Sequence, residues 1–404
     1  MSESQPSLPD LQAFRQHVCD WLSANAPADP GFTLPQNMLA VATPEQFEFL
    51  RAWQRQLYGA GFVGAEWPRE CGGRGMPAGT QRIVDQEMGR ARVPFMLNAI
   101  GLSWAGPTIL RYGTEAQKRR YIAPILSADE IWCQGFSEPE AGSDLAALRT
   151  RARRDDDDYV IEGHKVWTTL AHFADYMILL ARTDPNTAKH AGISFFLMPI
   201  RVAGVVVQPL IKMTGEGGFN QVLFSSVRIP LDALLGQEGQ GWEIAMTTLS
   251  FERGASEGSA GSSATITDSV DRLIALTRAL RRDGRPVLDD AVVRERIARF
   301  AVEEEAIRYS IPRLHIPGLV ADRPAALPLM RKLVSSEFTQ RLSDFACELQ
   351  GYAAALWIDD PAAIDAAEWQ RTYLNSFGVT IGGGTSEILR NILGERVLGL
   401  PKTR

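Results

Sequence analysis

What the chain has little of narrows its chemistry first. Its 404 residues include only four cysteines and five histidines. Cys19, Cys71, Cys133 and Cys347 lie far apart, and His17, His164, His172, His190 and His315 fall in no ligand spacing such as HExxH or CxxC. Neither a disulfide framework nor a bound metal is expected, and none of these side chains is put forward as a nucleophile. No run of about 18 apolar residues occurs, and the opening MSESQPSLPDLQAF lacks a basic segment followed by an apolar stretch. A cytoplasmic, untargeted protein without a membrane partner is expected. The formal charge is −6 and basic residues form no stripe, so nucleic acid is not an expected partner either.

What is present is an ordinary globular composition, 45% hydrophobic, in a chain long enough for two or three packed units. From about residue 8 to 130 apolar residues recur at helical spacing, as in Phe47, Leu50, Trp53 and Leu57. The turn-rich stretch WPRECGGRGMPAG at 67–79 interrupts them. Short β-branched and aromatic runs follow, among them YVIEGHKVWTT, YMILLAR, GISFFLMP, GVVVQPLI and QVLFSSVRIP. Beyond Gly236 the helical period returns and ends in an apolar face of Ile388, Leu389, Ile392, Leu393 and Val397. The pattern predicts an α+β protein with a helical domain over 1–130, a β domain over 131–235 and a helical bundle over 236–404. The acidic run Asp155 to Asp158 suits a hairpin tip between two strands. The small-residue run GASEGSAGSSAT at 254–265 reads as a loop or a place of close backbone approach.

Three segments carry candidate chemistry. WCQGFSEPEAGSD places a strand-like run, 131–136, before a turn with Ser137, Gly142, Ser143 and Asp144, which offers hydroxyls and backbone N–H groups together. In KVWTT, Trp167 supplies a flat apolar wall and Thr169 a hydrogen-bonding hydroxyl at a strand end. IGGGTSEILRNILGERVLGL joins three glycines to a helix with Thr385 as N-cap and Glu387 in its first turn. Each alone is weak: a polar turn, a half-buried strand aromatic, a glycine-rich helix entry without the lysine of a P-loop.

Their joint order discriminates. SEPEAGSD, KVWTT and GGTSEILRN in succession resemble the acyl-CoA dehydrogenase family, and the likeness runs from WPRECGGRG to GERVLGLPK. The resemblance implies that family's fold, with an N-terminal helical domain, a middle β domain and a C-terminal helical bundle that carries oligomer contacts. It implies FAD as cofactor, with Gln134, Phe136, Ser137 and Ser143 on the flavin side and Trp167 and Thr169 on the isoalloxazine. Ser143 also looks like a contact to the CoA moiety, Thr385, Glu387 and Gly351 like further FAD positions, and Gly384 like a backbone lying against the thioester. Many members place the catalytic glutamate where this chain has Gly383. A minority, including isovaleryl-CoA and long-chain acyl-CoA dehydrogenases, carry it on an earlier helix before an arginine, in a segment similar to LSFER, here Glu252 and Arg253. Alone, an adjacent Glu–Arg pair on a helix reads as an exposed charge pair. The glycine at 383 is what turns Glu252 into a candidate base.

The implied reaction is α,β-dehydrogenation of an acyl-CoA to a trans-2-enoyl-CoA within fatty acid β-oxidation. The implied partners are an electron-transferring flavoprotein as acceptor and further copies of the chain, as a dimer or homotetramer. Two departures from the family pattern favour a competing reading. RALRRDGRPVLDD has Asp283 where members have phenylalanine, and ELQGY has Glu348 for a glutamine and Tyr352 for a second glycine, with Gly351 retained. These fit one chain of a mixed-subunit dehydrogenase with a partial FAD site. A third reading keeps the fold and makes oxygen the electron acceptor, as in an oxidase.

Overall fold

The computed structural model describes residues 8–35, 38–252, 269–316, 326–358 and 360–402. They fall into two compact units, one ending with Glu252 among the described residues and one beginning with Ser269.

The first unit opens with helices α1 (Leu8–Asn25), α2 (Pro44–Gly59), α3 (Thr80–Ala91), α4 (Gly106–Tyr112) and α5 (Glu115–Ser127). Both α2 and α5 begin in capping boxes, Thr43 with Gln46 and Thr114 with Gln117, so that orphan donors of the first turn are met by side chains. Phe47, Leu50, Trp53 and Leu57 are all buried on one face of α2, as their spacing predicts. The turn-rich stretch wraps around Trp67: a Cβ on Gly106 would lie 2.2 Å from its ring, so only glycine lets α4 come this close.

An eight-stranded sheet follows: β1 (Trp132–Gly135), β2 (Arg151–Asp155), β3 (Asp158–Thr169), β4 (Tyr176–Arg182), β5 (Ile193–Pro199), β6 (Val205–Leu210), β7 (Phe219–Pro230) and β8 (Leu234–Leu235). The order is β6-β7-β3-β2-β4-β5-β8, and β1 runs parallel to β4. Strands β4 and β5 are covered on both faces, which explains their unbroken apolar runs. Ile178, Leu180, Phe195 and Leu197 pack on the helical side, while Met177, Leu179, Phe196 and Met198 join Val222, Phe224 and Val227 on the other. Asp155 and Asp158 flank the β2–β3 turn and pair with Arg228, so the acidic run is a hairpin tip.

Helix α6 (Gly241–Glu252) packs in this first unit. Its Thr248 hydroxyl lies 2.9 Å from that of Thr108 on α4, and its Thr247 hydroxyl 2.9 Å from the phenol of Tyr112. The second unit comprises α7 (Ser269–Ala279), α8 (Ala291–Ser310), α9 (Ala326–Gln350), α10 (Glu368–Ile381) and α11 (Ser386–Ile392). They enclose a core of Leu273, Leu276, Phe300, Phe338, Phe345 and Trp369. On α11 only Leu389 of the predicted apolar face is buried; Ile388, Ile392, Leu393 and Val397 are half-buried. Among the described residues, no helix is long and apolar enough to cross a membrane.

Candidate active site

Strand β3 carries an extra residue before its end. The β3–β7 pairing passes from Lys165–Val222 to Thr168–Asn220, so two residues of β3 oppose one of β7. The bulge leaves Trp167 in the left-handed region at φ 60°, a conformation that costs a non-glycine residue about 1–3 kcal/mol. It also turns the indole outward: Trp167 is 61% exposed, propped edge-on by Phe219 at 5.9 Å. A large aromatic held strained and open is more easily explained as a wall for a flat ligand than as packing. Thr169, the last residue of β3, is buried.

Three buried polar atoms around this strand end lack protein partners: Oγ1 of Thr168, Oδ1 of Asn220 and Nε2 of Gln134. Left unsatisfied, such groups cost about 1–3 kcal/mol each, which marks a place for a ligand or bound water. Asn220 is itself fixed by Nδ2 donating to the carbonyl of Thr168 at 3.0 Å, with the ring of His172 3.0 Å from the same nitrogen. Burial holds the His172 imidazole below its ordinary range.

The turn after β1 is tied to the same strand end. The Val166 N–H donates to the Ser137 carbonyl at 3.0 Å, and the ammonium of Lys165 donates to the Phe136 carbonyl at 3.0 Å and to Glu138 at 2.8 Å. Phe136 and Ser137 are thereby tied to the strand that carries Trp167 and Thr169, and Gln134 stands two residues earlier on β1. Phe136 is buried edge-on against Phe195, whereas Ser137 is half-buried. Ser143 is exposed further along the turn, next to Asp144, which pairs with Lys189.

In the second unit, Gly383 and Gly384 take φ values of 68° and 104°, a pair of left-handed residues that only glycine adopts readily. Thr385 follows as the predicted N-cap of α11, its Oγ1 accepting from the Ile388 N–H at 3.2 Å. Glu387 is exposed in the first turn of α11; its own N–H and the Thr385 hydroxyl hold its carboxyl below the usual range. Lys332 of α9 donates to the Gly384 carbonyl at 2.7 Å and fixes that peptide. Gly351 is exposed at φ 56° just past α9, beside a fully exposed Tyr352, and Glu348 is paired with Arg296. Asp283 and Gly284 form the left-handed tip of a short hairpin between Arg281–Arg282 and Arg285–Pro286. Glu252 is the last residue of α6; Arg253 and the run 254–265 lie outside the described residues.

Lys165, Glu138 and Asn220 were not singled out from the sequence. A single lysine in a strand reads as a solvated side chain. The available signal was its place in a strand run just before Val166 and Trp167, with a glutamate in the neighbouring motif.

The described elements thus run from helices through a β sheet with an exposed aromatic at a strand end to further helices with a glycine turn. Family models for the acyl-CoA dehydrogenase N-terminal, middle and C-terminal domains match residues 10–129, 133–227 and 239–398. The chain is 36% identical to acyl-CoA dehydrogenase IpdE1 of Mycobacterium tuberculosis over 395 residues, 97% of this chain and 98% of the relative. It is 29% identical to human mitochondrial short-chain specific acyl-CoA dehydrogenase, over 89% and 85% of the two chains. Among solved structures, the Tcur3481-Tcur3483 steroid acyl-CoA dehydrogenase aligns over 100% of both chains with a TM-score of 0.81 and 29% identity. The ChsE4-ChsE5 complex from Mycobacterium tuberculosis aligns with a TM-score of 0.78 and 28% identity. The chain belongs to the acyl-CoA dehydrogenase family and is an oxidoreductase acting on acyl-CoA. Members of this family are FAD-dependent, and the open ring of Trp167 beside a strand end with unpartnered polar atoms on Thr168 and Asn220 fits such a group.

Proposed function

We propose that the protein is an FAD-dependent dehydrogenase that converts an acyl-CoA thioester to its trans-2-enoyl-CoA, with Glu252 as the base. The observation that carries this reading is the left-handed pair Gly383–Gly384. A glutamate at 383 would have to adopt φ near 68°, so the turn is built for glycine and the base has to come from another element. Glu252, ending α6, is the carboxylate that the LSFER segment offers.

The α-hydrogen of a thioester is a weak acid, so its removal needs a positioned carboxylate and a site for the developing enolate oxygen. Glu252 would take the α-proton, and the Gly384 backbone, whose carbonyl is fixed by Lys332, would lie against the thioester. FAD, when bound, supplies the acceptor for the hydride that leaves Cβ. Gln134, Phe136, Ser137, Ser143, Trp167 and Thr169 would hold its flavin side, and Gly351, Thr385 and Glu387 would make further contacts. Ser143 would also meet the CoA moiety, and Arg253 and Gly383 the substrate. Electrons leave to an electron-transferring flavoprotein, in the cytoplasm. Anaerobic flavin reduction by a panel of short, long, branched, aromatic and steroid-derived acyl-CoAs tests the reaction and its substrate class together. Bleaching by none of them would overturn it, and peroxide formation during aerobic turnover would indicate an oxidase instead.

A second reading concerns assembly. The exposed Tyr352 and the Glu348–Arg296 pair stand where the family's cross-subunit FAD element would lie. Both structural relatives named above carry two chain names. A mixed-subunit enzyme with a ring-bearing acyl-CoA as substrate is therefore the alternative to a homo-oligomer. Purified alone, a homo-oligomer is yellow and active; a colourless product that gains FAD only with a second chain supports the mixed assembly.

A further inference from the structure

Lys165 is among the largest fully buried side chains of the protein, at 0% exposure, and the reaction above gives it no role. Its partner Glu138 is 8% exposed. The carboxylate accepts from three donors. One oxygen receives the Lys165 ammonium at 2.8 Å and the Thr150 N–H at 2.9 Å, and the other receives the Arg149 N–H at 2.7 Å. The Glu138 backbone closes a tight turn with Ala141 by reciprocal bonds of 3.0 and 3.1 Å. Glu138 thus ties the start of the 137–150 segment to its end, while Lys165 anchors both to β3 two residues before Trp167.

A buried ion pair is a poor way to gain stability, because desolvating two charges offsets much of their attraction. What it provides is direction. The ammonium holds the Phe136 carbonyl and the Glu138 carboxylate at once, which sets the peptide preceding Ser137 and seats the turn on the strand from which Trp167 projects. An apolar filler would occupy the volume without orienting either backbone.

We propose that the Lys165–Glu138 pair is a positioning clamp for the FAD face, holding the Ser137–Asp144 turn against the Val166–Thr169 strand end so that Ser137 and Trp167 stand in one geometry before the cofactor binds. This rests on the assignment of that face to FAD. Neither residue touches the reacting atoms; both act through the turn and the strand.

The test uses the full-length protein, stripped of flavin, with two readouts: FAD dissociation constant by fluorescence titration and melting temperature without FAD. In K165M/E138Q both charges are gone; the amide oxygen accepts from one of the Arg149 and Thr150 N–H groups, which in the wild type use different carboxylate oxygens, and the other N–H loses its acceptor. The expected result is a modest fall in melting temperature, with the protein still folded at the titration temperature, and FAD affinity weakened about 10- to 100-fold, the range typical of losing groups that orient a binding shell. Unchanged FAD affinity in the double variant would overturn the clamp. If that variant does not fold, E138Q alone carries the same comparison, since it keeps the lysine bonded to the Phe136 carbonyl. W167A separates the two levels. FAD affinity lost in W167A but kept in the clamp variants removes the clamp alone, whereas affinity kept in W167A removes the FAD face and the clamp with it.

Discussion

Around Trp167 the backbone is held in place by a buried ion pair and an amide, whereas around Gly383 its course is set by two left-handed glycines. The first region is a buried polar framework: Lys165, Glu138 and Asn220 fix carbonyls and N–H groups so that a strained aromatic faces outward. The second has two left-handed glycines, a capping threonine and one lysine on the Gly384 carbonyl. A planar cofactor calls for a rigid wall, while a thioester has to come close to the backbone, and the proposed function gives the first need to the Trp167 region and the second to the Gly383 turn. They should therefore fail differently, the wall by losing affinity for FAD and the turn by losing rate.

The largest effect is expected at the turn. G383V places a β-branched residue at φ 68°, a region it strongly disfavours, and any shift of the neighbouring peptide misplaces the thioester. A loss of about 100-fold in kcat/KM with FAD affinity little changed is expected from steady-state kinetics and titration. W167A should show the reverse, FAD affinity lowered about 10-fold through the lost aromatic face, read by flavin fluorescence. If both variants lost affinity and rate together, the contrast between the regions would be broken.

A smaller effect is expected from T385A, which removes the α11 cap and should destabilise the C-terminal unit by about 1 kcal/mol, seen as a shift in the denaturant midpoint. A separate test, apart from either site, concerns the helical part of the first unit. Burial pushes the Asp85 carboxyl up to about 7 from 3.8, against the opposing bond from Gln81. The folded state thus holds a proton that the unfolded chain releases near pH 4, and the associated stability is lost as pH rises through 7. The melting temperature of the wild type should fall relative to D85N between pH 4 and 8, and parallel curves would refute the burial argument.

Much of the fold was legible because it rests on period. The 3-3-4 spacing of Phe47, Leu50, Trp53 and Leu57 maps onto one buried helix face, and the unbroken runs of β4 and β5 correspond to strands buried on both sides. Thr385 was legible as a cap from its place before a helical pattern. The strained, exposed state of Trp167 was not, because it follows from a bulge set by register against β7, and register depends on a strand some 50 residues away. Lys165 was hidden for a related reason. Its burial requires Glu138 from another element, and spacing along one strand cannot reveal a partner across the fold. The glycine at 383 could be read as a missing glutamate, but that the turn is left-handed there emerges only from the backbone.

The assignment of Glu252 as the base is the central claim, and one variant addresses it directly. E252Q keeps the size of the side chain and removes its basicity. Mixed anaerobically with an acyl-CoA that bleaches the wild type, FAD-loaded E252Q should stay yellow, with reduction slowed at least about 100-fold and FAD affinity unchanged. Reduction at the wild-type rate would contradict the assignment and place the base elsewhere in the chain.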